Sequence, residues 1–260
     1  MNNNRGFTLA EILAATFISM VMILAIGTAI ESGLKSSGGI EQKVPAQQDV
    51  RSALEIMAME IRMVSYNPTF NHNMWVGNAV AGGGISSCVN PSANMLYHGL
   101  QEATANSITV EMDISDGMNG DGQGALTEPN EIISYNYVAN GTYASGNRYI
   151  TRTASSGQGN CGIPQAFLGD TVASGNPLTV RVINADMNPQ IPVFRYFDGQ
   201  GNLLPPDGSP GGLPAQIPNV RMIEITLAVE TAEINPDTGQ KRTMIYTTRE
   251  ILRNHNYVVY

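Results

Sequence analysis

Positions 7–30 are almost all apolar, and positions 12–30 carry no charge. Wound as a helix, such a run spans the ~30 Å hydrocarbon core of a bilayer. The pattern then loosens. Gly33, Gly38, Gly39 and Pro45 fall within 32–46. Glycine and proline both weaken helix, so this stretch reads as a flexible joint; a continuous helix survives only where packing outweighs propensity. Between 47 and 66 a period of three to four returns. Val50, Leu54, Met57, Ile61 and Val64 form one stripe, with Arg51, Glu55 and Arg62 opposite, the pattern of a helix laid on a core. Asn67-Pro68 stops it. Glu60 falls on a second apolar arc with Ala53, Ile56 and Met63. If that arc meets the head, the carboxylate needs a cationic or donor partner, with Arg249 and Arg221 the candidates; otherwise the arc faces solvent.

Period two takes over from Ser107. SITVEMD, EIISYNYV, NRYITRT, LTVRVINA, VFRYFD, VRMIEITLAVE and RTMIYTTREIL read as strands, separated by Gly, Asn, Asp and Pro turns. Asp198-Gly199-Gln200-Gly201-Asn202 reads as a hairpin turn. Residues 69–105 read mostly as loop, anchored by Trp75. A long helix followed by a run of strands is an α+β architecture, with a mostly antiparallel sheet whose core the 47–66 helix closes.

Charge and composition narrow the chemistry. The 260 residues carry a formal net charge of −8, so the head as a whole does not attract nucleic acid. There is no Gly-x-Ser-x-Gly elbow, and His72, His98 and His255 lack zinc-ligand spacing and read as surface or loop residues. Gly157-x-Gly159-x-x-Gly162 matches a dinucleotide fingerprint literally, but Pro164 follows and no helix does, so it reads as a turn. No constellation supports an enzyme. One acidic loop has the beginnings of a calcium site: Asp116, Asn119, Asp121 and Gln123 on a glycine-rich backbone. Calcium needs six to eight oxygens, and the twelfth loop position is Asn130 rather than an acid, so an acidic hairpin loop stands as the alternative. No other cofactor is expected.

Glu11 sits at the head of the apolar run, where an acid in lipid costs about 2.5–3.5 kcal/mol at mid-depth and so calls for a partner or a task. A secretory signal would put its small residue after the apolar run; here Gly6 precedes it. Arg5-Gly6-Phe7-Thr8-Leu9-Ala10-Glu11 followed by an apolar helix resembles the type III signal of type IV pilins, with Ala10 standing where a larger aliphatic residue is commoner. The resemblance implies that a prepilin peptidase cuts between Gly6 and Phe7 and N-methylates Phe7. It implies too that Glu11 attracts the Phe7 amine of a neighbouring subunit during assembly, which sets its register.

The organisation implied is a leader at 1–6, a membrane and fibre-core helix at 7–31, the joint at 32–46, the packing helix at 47–66 and a β-rich head at 67–260. DVRSALEIMAMEIRMVSYNP and the closing TTREILRNHN resemble PilW-type minor pilins, with GspJ-type pseudopilins close behind. That family implies a pilin-like fold and a single-pass precursor in the bacterial inner membrane. Its head lies in the periplasm before the subunit joins a surface pilus. Its partners are other minor and major pilins, met through the N-terminal helix. In that oxidising setting Cys88 and Cys161 form one disulfide, worth roughly 4 kcal/mol on a chain-entropy estimate. A subunit that primes pilus assembly at the tip is the expected function. A pseudopilus-tip subunit of type II secretion and an adhesin-like head on a pilin anchor are the alternatives.

Overall fold

The computed structural model describes residues 8–68, 70, 75, 99–114, 126, 128–139, 148–157, 160–169, 180–205, 213, 215–236 and 238–255. One helix, α1 (Leu9–Arg62), runs unbroken for 54 residues, roughly 80 Å at 1.5 Å per residue. The break expected at 32–46 is therefore absent from the secondary structure. Pro45 removes one intrahelical hydrogen bond, but Ala46 and Val50 beside it are fully buried, and that packing outweighs the local propensity. Gly38 and Gly39 lie under the hairpin tip at 235–236, where an added Cβ would stand 3.4 Å from Pro236 and Asn235. The head thus meets the helix ahead of residue 47.

The stripe Val50, Leu54, Met57, Ile61 and Val64 is buried, while Arg51, Glu55 and Arg62 are exposed. The helix ends at Arg62, before the Asn67-Pro68 stop, and Met63 N–H caps it by donating to the Glu60 and Ile61 carbonyls. Ser65, at φ 62°, turns the chain so that its N–H reaches the Glu111 carbonyl at 2.9 Å.

Two antiparallel sheets replace the single one expected. The first holds β1 (Leu100–Ala103), β2 (Ser107–Glu111), β3 (Pro129–Val138), β4 (Tyr149–Gly157), β5 (Asn160–Cys161) and β6 (Gln165–Gly169), in the order β1-β2-β3-β4, with β5 and β6 both on β4. The second holds β7 (Val180–Val182), β8 (Phe194–Phe197), β9 (Met222–Thr231) and β10 (Thr243–Ile251). β10 follows one side of β9 along its length, and β7 and β8 share the other. Asn184 closes the gap between β7 and β8. Its amide donates to the Thr226 and Ile191 carbonyls, and its carbonyl accepts from Ala228 N–H at 2.9 Å. The expected strand LTVRVINA therefore stops at Val182, because the next residues serve β9 as a side-chain splice.

The sheets and the helix enclose one apolar core. Tyr137 and Tyr196 lace the sheets together: the first donates to the Val182 carbonyl at 3.0 Å, the second to the Thr104 carbonyl at 2.9 Å. Burial pushes the Tyr196 hydroxyl well above its ordinary pKa. The turn after Phe197 forms as the sequence implies. Asp198 accepts from the backbone N–H of Gln200 and Asn202, Gly201 takes φ 83°, and Phe197 bridges to Leu203. The bonds from Asn202 and Gln200 hold the Asp198 carboxyl below the usual carboxylate range.

Candidate functional site on the N-terminal helix

Thr8 and Glu11 form a reciprocal cap at the start of α1. Glu11 N–H donates to Thr8 Oγ1 at 3.3 Å, and the Glu11 carboxylate accepts from Thr8 N–H at 2.9 Å and from its hydroxyl at 3.0 Å. This satisfies donors that would otherwise be orphaned at a helix end. Beyond the cap the helix shows apolar side chains on every face; Leu9, Ile12, Leu13, Phe17, Ile23 and Ile30 are all more than half exposed. The polar side chains in this stretch satisfy themselves. Thr16, Ser19 and Thr28 donate to the carbonyls of Leu13, Ala15 and Ala25, as a hydrocarbon setting demands. Glu31 and Lys35 pair at 2.8 Å where the charge-free run ends. By length and composition this segment can cross a membrane, and nothing among the described residues of the head covers it.

Where α1 reaches the head, Glu60 and Ala53 are buried against it, while Met63 is half-buried and Ile56 stays exposed at the edge of the arc. The partners of Glu60 correct the sequence expectation. Arg152 of β4 donates to the carboxylate, at 2.7 Å through Nη2, and the Tyr135 hydroxyl of β3 donates as well. Arg249 instead pairs with Glu224 at 2.7 Å, and Arg221 donates to the Pro218 and Val220 carbonyls. The reason lies in the two-sheet layout. Glu60 faces the first sheet, whereas Arg249 belongs to the second and Arg221 stands immediately before its strand β9. Burial of Tyr135, reinforced by the Glu60 charge, raises the tyrosine pKa. Burial works against the Arg152 charge, and Glu60 more than offsets it, so the guanidinium pKa stands above its ordinary value.

A family model described as "Prokaryotic N-terminal methylation motif" matches residues 1–27. This chain is type IV pilin-like. Such a motif implies processing by a prepilin peptidase and assembly with other pilins, and with the exposed apolar helix it fits a membrane-anchored pilin precursor. A type IV-like pilin from Thermus thermophilus is similar in structure at 13% identity and a TM-score of 0.37, over 80% of this chain and 97% of that one. At that score the fold of the pilin-like chain rests on its own helix and sheets. No curated protein matches its sequence.

Other expected site residues fall in different places. Gly6 and Phe7, at the processing point, lie outside the described residues, as do Asp116, Asn119, Asp121 and Gln123 of the acidic loop. Cys88 lies outside them too; of Cys161 the backbone is placed, in β5. Among the described residues no group of three or more His, Cys, Asp or Glu is arranged to hold a metal ion. Trp75 is buried, consistent with an anchor. His255 is a correction. It is buried, with Nε2–H donating to the Ile217 carbonyl at 3.0 Å and Nδ1 lying 2.9 Å from Ser65 Oγ, so it joins the chain's end to the turn after α1. Sequence reasoning also passed over Arg152. The NRYITRT strand contained it, but only the β3–β4 register, which sets Tyr135 opposite Arg152, brings both donors to one carboxylate.

Proposed function

We propose that this pilin-like chain is a minor pilin of PilW type, a non-enzymatic subunit that helps prime type IV pilus assembly at or near the fibre tip. One observation carries the reading: the apolar first half of α1 projects uncovered from a head of two full sheets. A helix apolar on all faces belongs in lipid or among similar helices. The chain therefore exchanges a bilayer for a helical bundle when it leaves the membrane. A head this broad is awkward to repeat along a slender fibre, which favours low copy number. The resemblance of residues 49–68 and 247–256 to PilW-type sequences supplies the finer assignment.

Deletion of the gene tests it. Loss of surface fibres and of twitching is the expected result. Loss of secreted enzymes with pili intact would instead make the chain a secretion pseudopilin. Normal piliation with lost attachment would make it an adhesin.

A further inference from the structure

The free side of β10 has the properties of a docking edge. Among the described residues β10 pairs only with β9, and the register is uninterrupted from Thr243↔Glu230 to Ile251↔Met222. Beyond its two ends, Thr231 N–H bonds the Arg242 carbonyl and Leu252 N–H bonds the Arg221 carbonyl. These bonds fix the alternation: even-numbered residues bond β9, so the N–H and C=O of Thr243, Ile245, Thr247, Arg249 and Ile251 point away from the sheet. Their side chains are all exposed. Edges are usually protected by charged side chains, proline, bulges, inward-pointing charges or short strands. β10 has no lysine, proline or bulge over its nine residues, and its charges are Arg249, facing out, and the buried Glu250, facing in and paired with Arg62 of α1. The far edge of the other sheet differs: β1 has four residues and a register shift.

The outer face beside this edge is ordered in rows. Ile251, Met222, Phe197 and Leu203 stand side by side across the sheet, and Ile251 and Leu203 are more than half exposed. The next row on this face is Arg249, Glu224 and Arg195. Both arginines bond the one buried Glu224 carboxylate, at 2.7 and 3.3 Å, and the Arg249 guanidinium lies 5.5 Å from the Phe197 ring centre. Two cations thus share one anion, and the more exposed of them stands on the free edge.

The geometry points to β10 as a strand-addition site for an antiparallel segment of another protein. That segment carries an acid opposite Arg249 and apolar residues opposite Ile245 and Ile251. The acid continues the Arg–Glu–Arg row, and the apolar residues continue the Ile251–Met222 row beside it and the Ile245–Ala228 row beyond Thr247; cross-strand pairs of this kind stabilise added strands. A second copy of this chain is the poorer occupant. The outward positions of β10 are Thr, Ile, Thr, Arg and Ile, so self-pairing never brings an acid to Arg249. Within the proposed function, on which the identity of the donor rests, the donor is the head of a neighbouring subunit. The edge itself can be tested without any fibre.

The probe is a synthetic nine-residue peptide with valine at its first and seventh positions, glutamate at its third and threonine elsewhere. A control peptide has lysine in place of the glutamate. Hydrogen exchange of the full chain in detergent should slow across residues 243–251 when the glutamate peptide saturates it. The lysine peptide should bind at least about fivefold more weakly, and Arg249→Glu should reverse that preference. If Arg249→Glu misfolds, the comparison of peptides on the unaltered chain decides. The proposal is overturned if 243–251 is not slowed, if both peptides bind equally, or if the chain protects this segment by dimerising without peptide. These results would leave the fibre reading standing, because that reading depends on the processed N-terminus.

Discussion

Glu60→Leu is expected to lower the melting temperature of the full chain in detergent by about 5–10 °C, from a loss of roughly 2–3 kcal/mol. The substitution leaves the Tyr135 hydroxyl without its acceptor and Arg152 without its counter-charge, both at the seam between α1 and the first sheet. Breaking a buried ion pair costs about 3–5 kcal/mol when the stranded charge stays dry. The Arg152 side chain is 24% exposed, so water recovers part of that cost. Removing all three polar partners, as Glu60→Leu with Arg152→Met and Tyr135→Phe, should restore most of the loss, since the one group that then loses a partner, Asn130, is exposed to water. A double-mutant cycle separates this pairing from the one expected from sequence. Glu60 and Arg152 should couple by about 1 kcal/mol or more, and Glu60 and Arg249 by nearly nothing. Coupling to Arg249 of equal size would contradict the structure.

Glu11→Gln is expected to leave membrane insertion and cleavage intact but to reduce recovery of the chain in sheared fibres by tenfold or more, on the order of 1.4 kcal/mol at least. Glutamine keeps an acceptor for Thr8 N–H and the Thr8 hydroxyl, so the cap survives. It loses the charge. Between unit charges 4 Å apart the Coulomb attraction is about 4 kcal/mol at an effective dielectric near 20, and a bundle of apolar helices leaves an unmatched amine no water to turn to. Immunoblots of the fibre and membrane fractions read the effect. Equal incorporation of the two forms would remove Glu11 from any role in registering subunits.

The helix stripe and most of the strands are legible in the sequence because each depends on local period. Val50 to Val64 bury one face whatever they pack against, and alternation in β3, β9 and β10 marks a sheet face in the same way. The features missed depend on what lies far off in the chain. Helix continuity at 32–46 follows from the burial of Ala46 and Val50 and the hairpin tip over Gly38 and Gly39, neither visible in local propensity. Glu60 was recognisable as a carboxylate in need of a partner, but choosing Arg152 over Arg249 requires knowing that the strands divide into two sheets. β1, β5 and β6 read LQEA, NC and QAFLG, with no run that alternates apolar and polar residues. His255 reads as a surface or loop residue until Ser65 and Ile217 are seen around it.

At the N-terminus the motif and the exposed apolar helix fit a membrane-anchored pilin precursor, and the function proposed above has it leave lipid to join other helices. Intact-mass and N-terminal peptide mass spectrometry on the chain purified from its native membrane tests this most directly. The account predicts a mature chain that begins at Phe7, lacks residues 1–6 and carries one added methyl group on the new amine. A chain that still begins at Met1, with no trimmed and methylated form beside it, would contradict it.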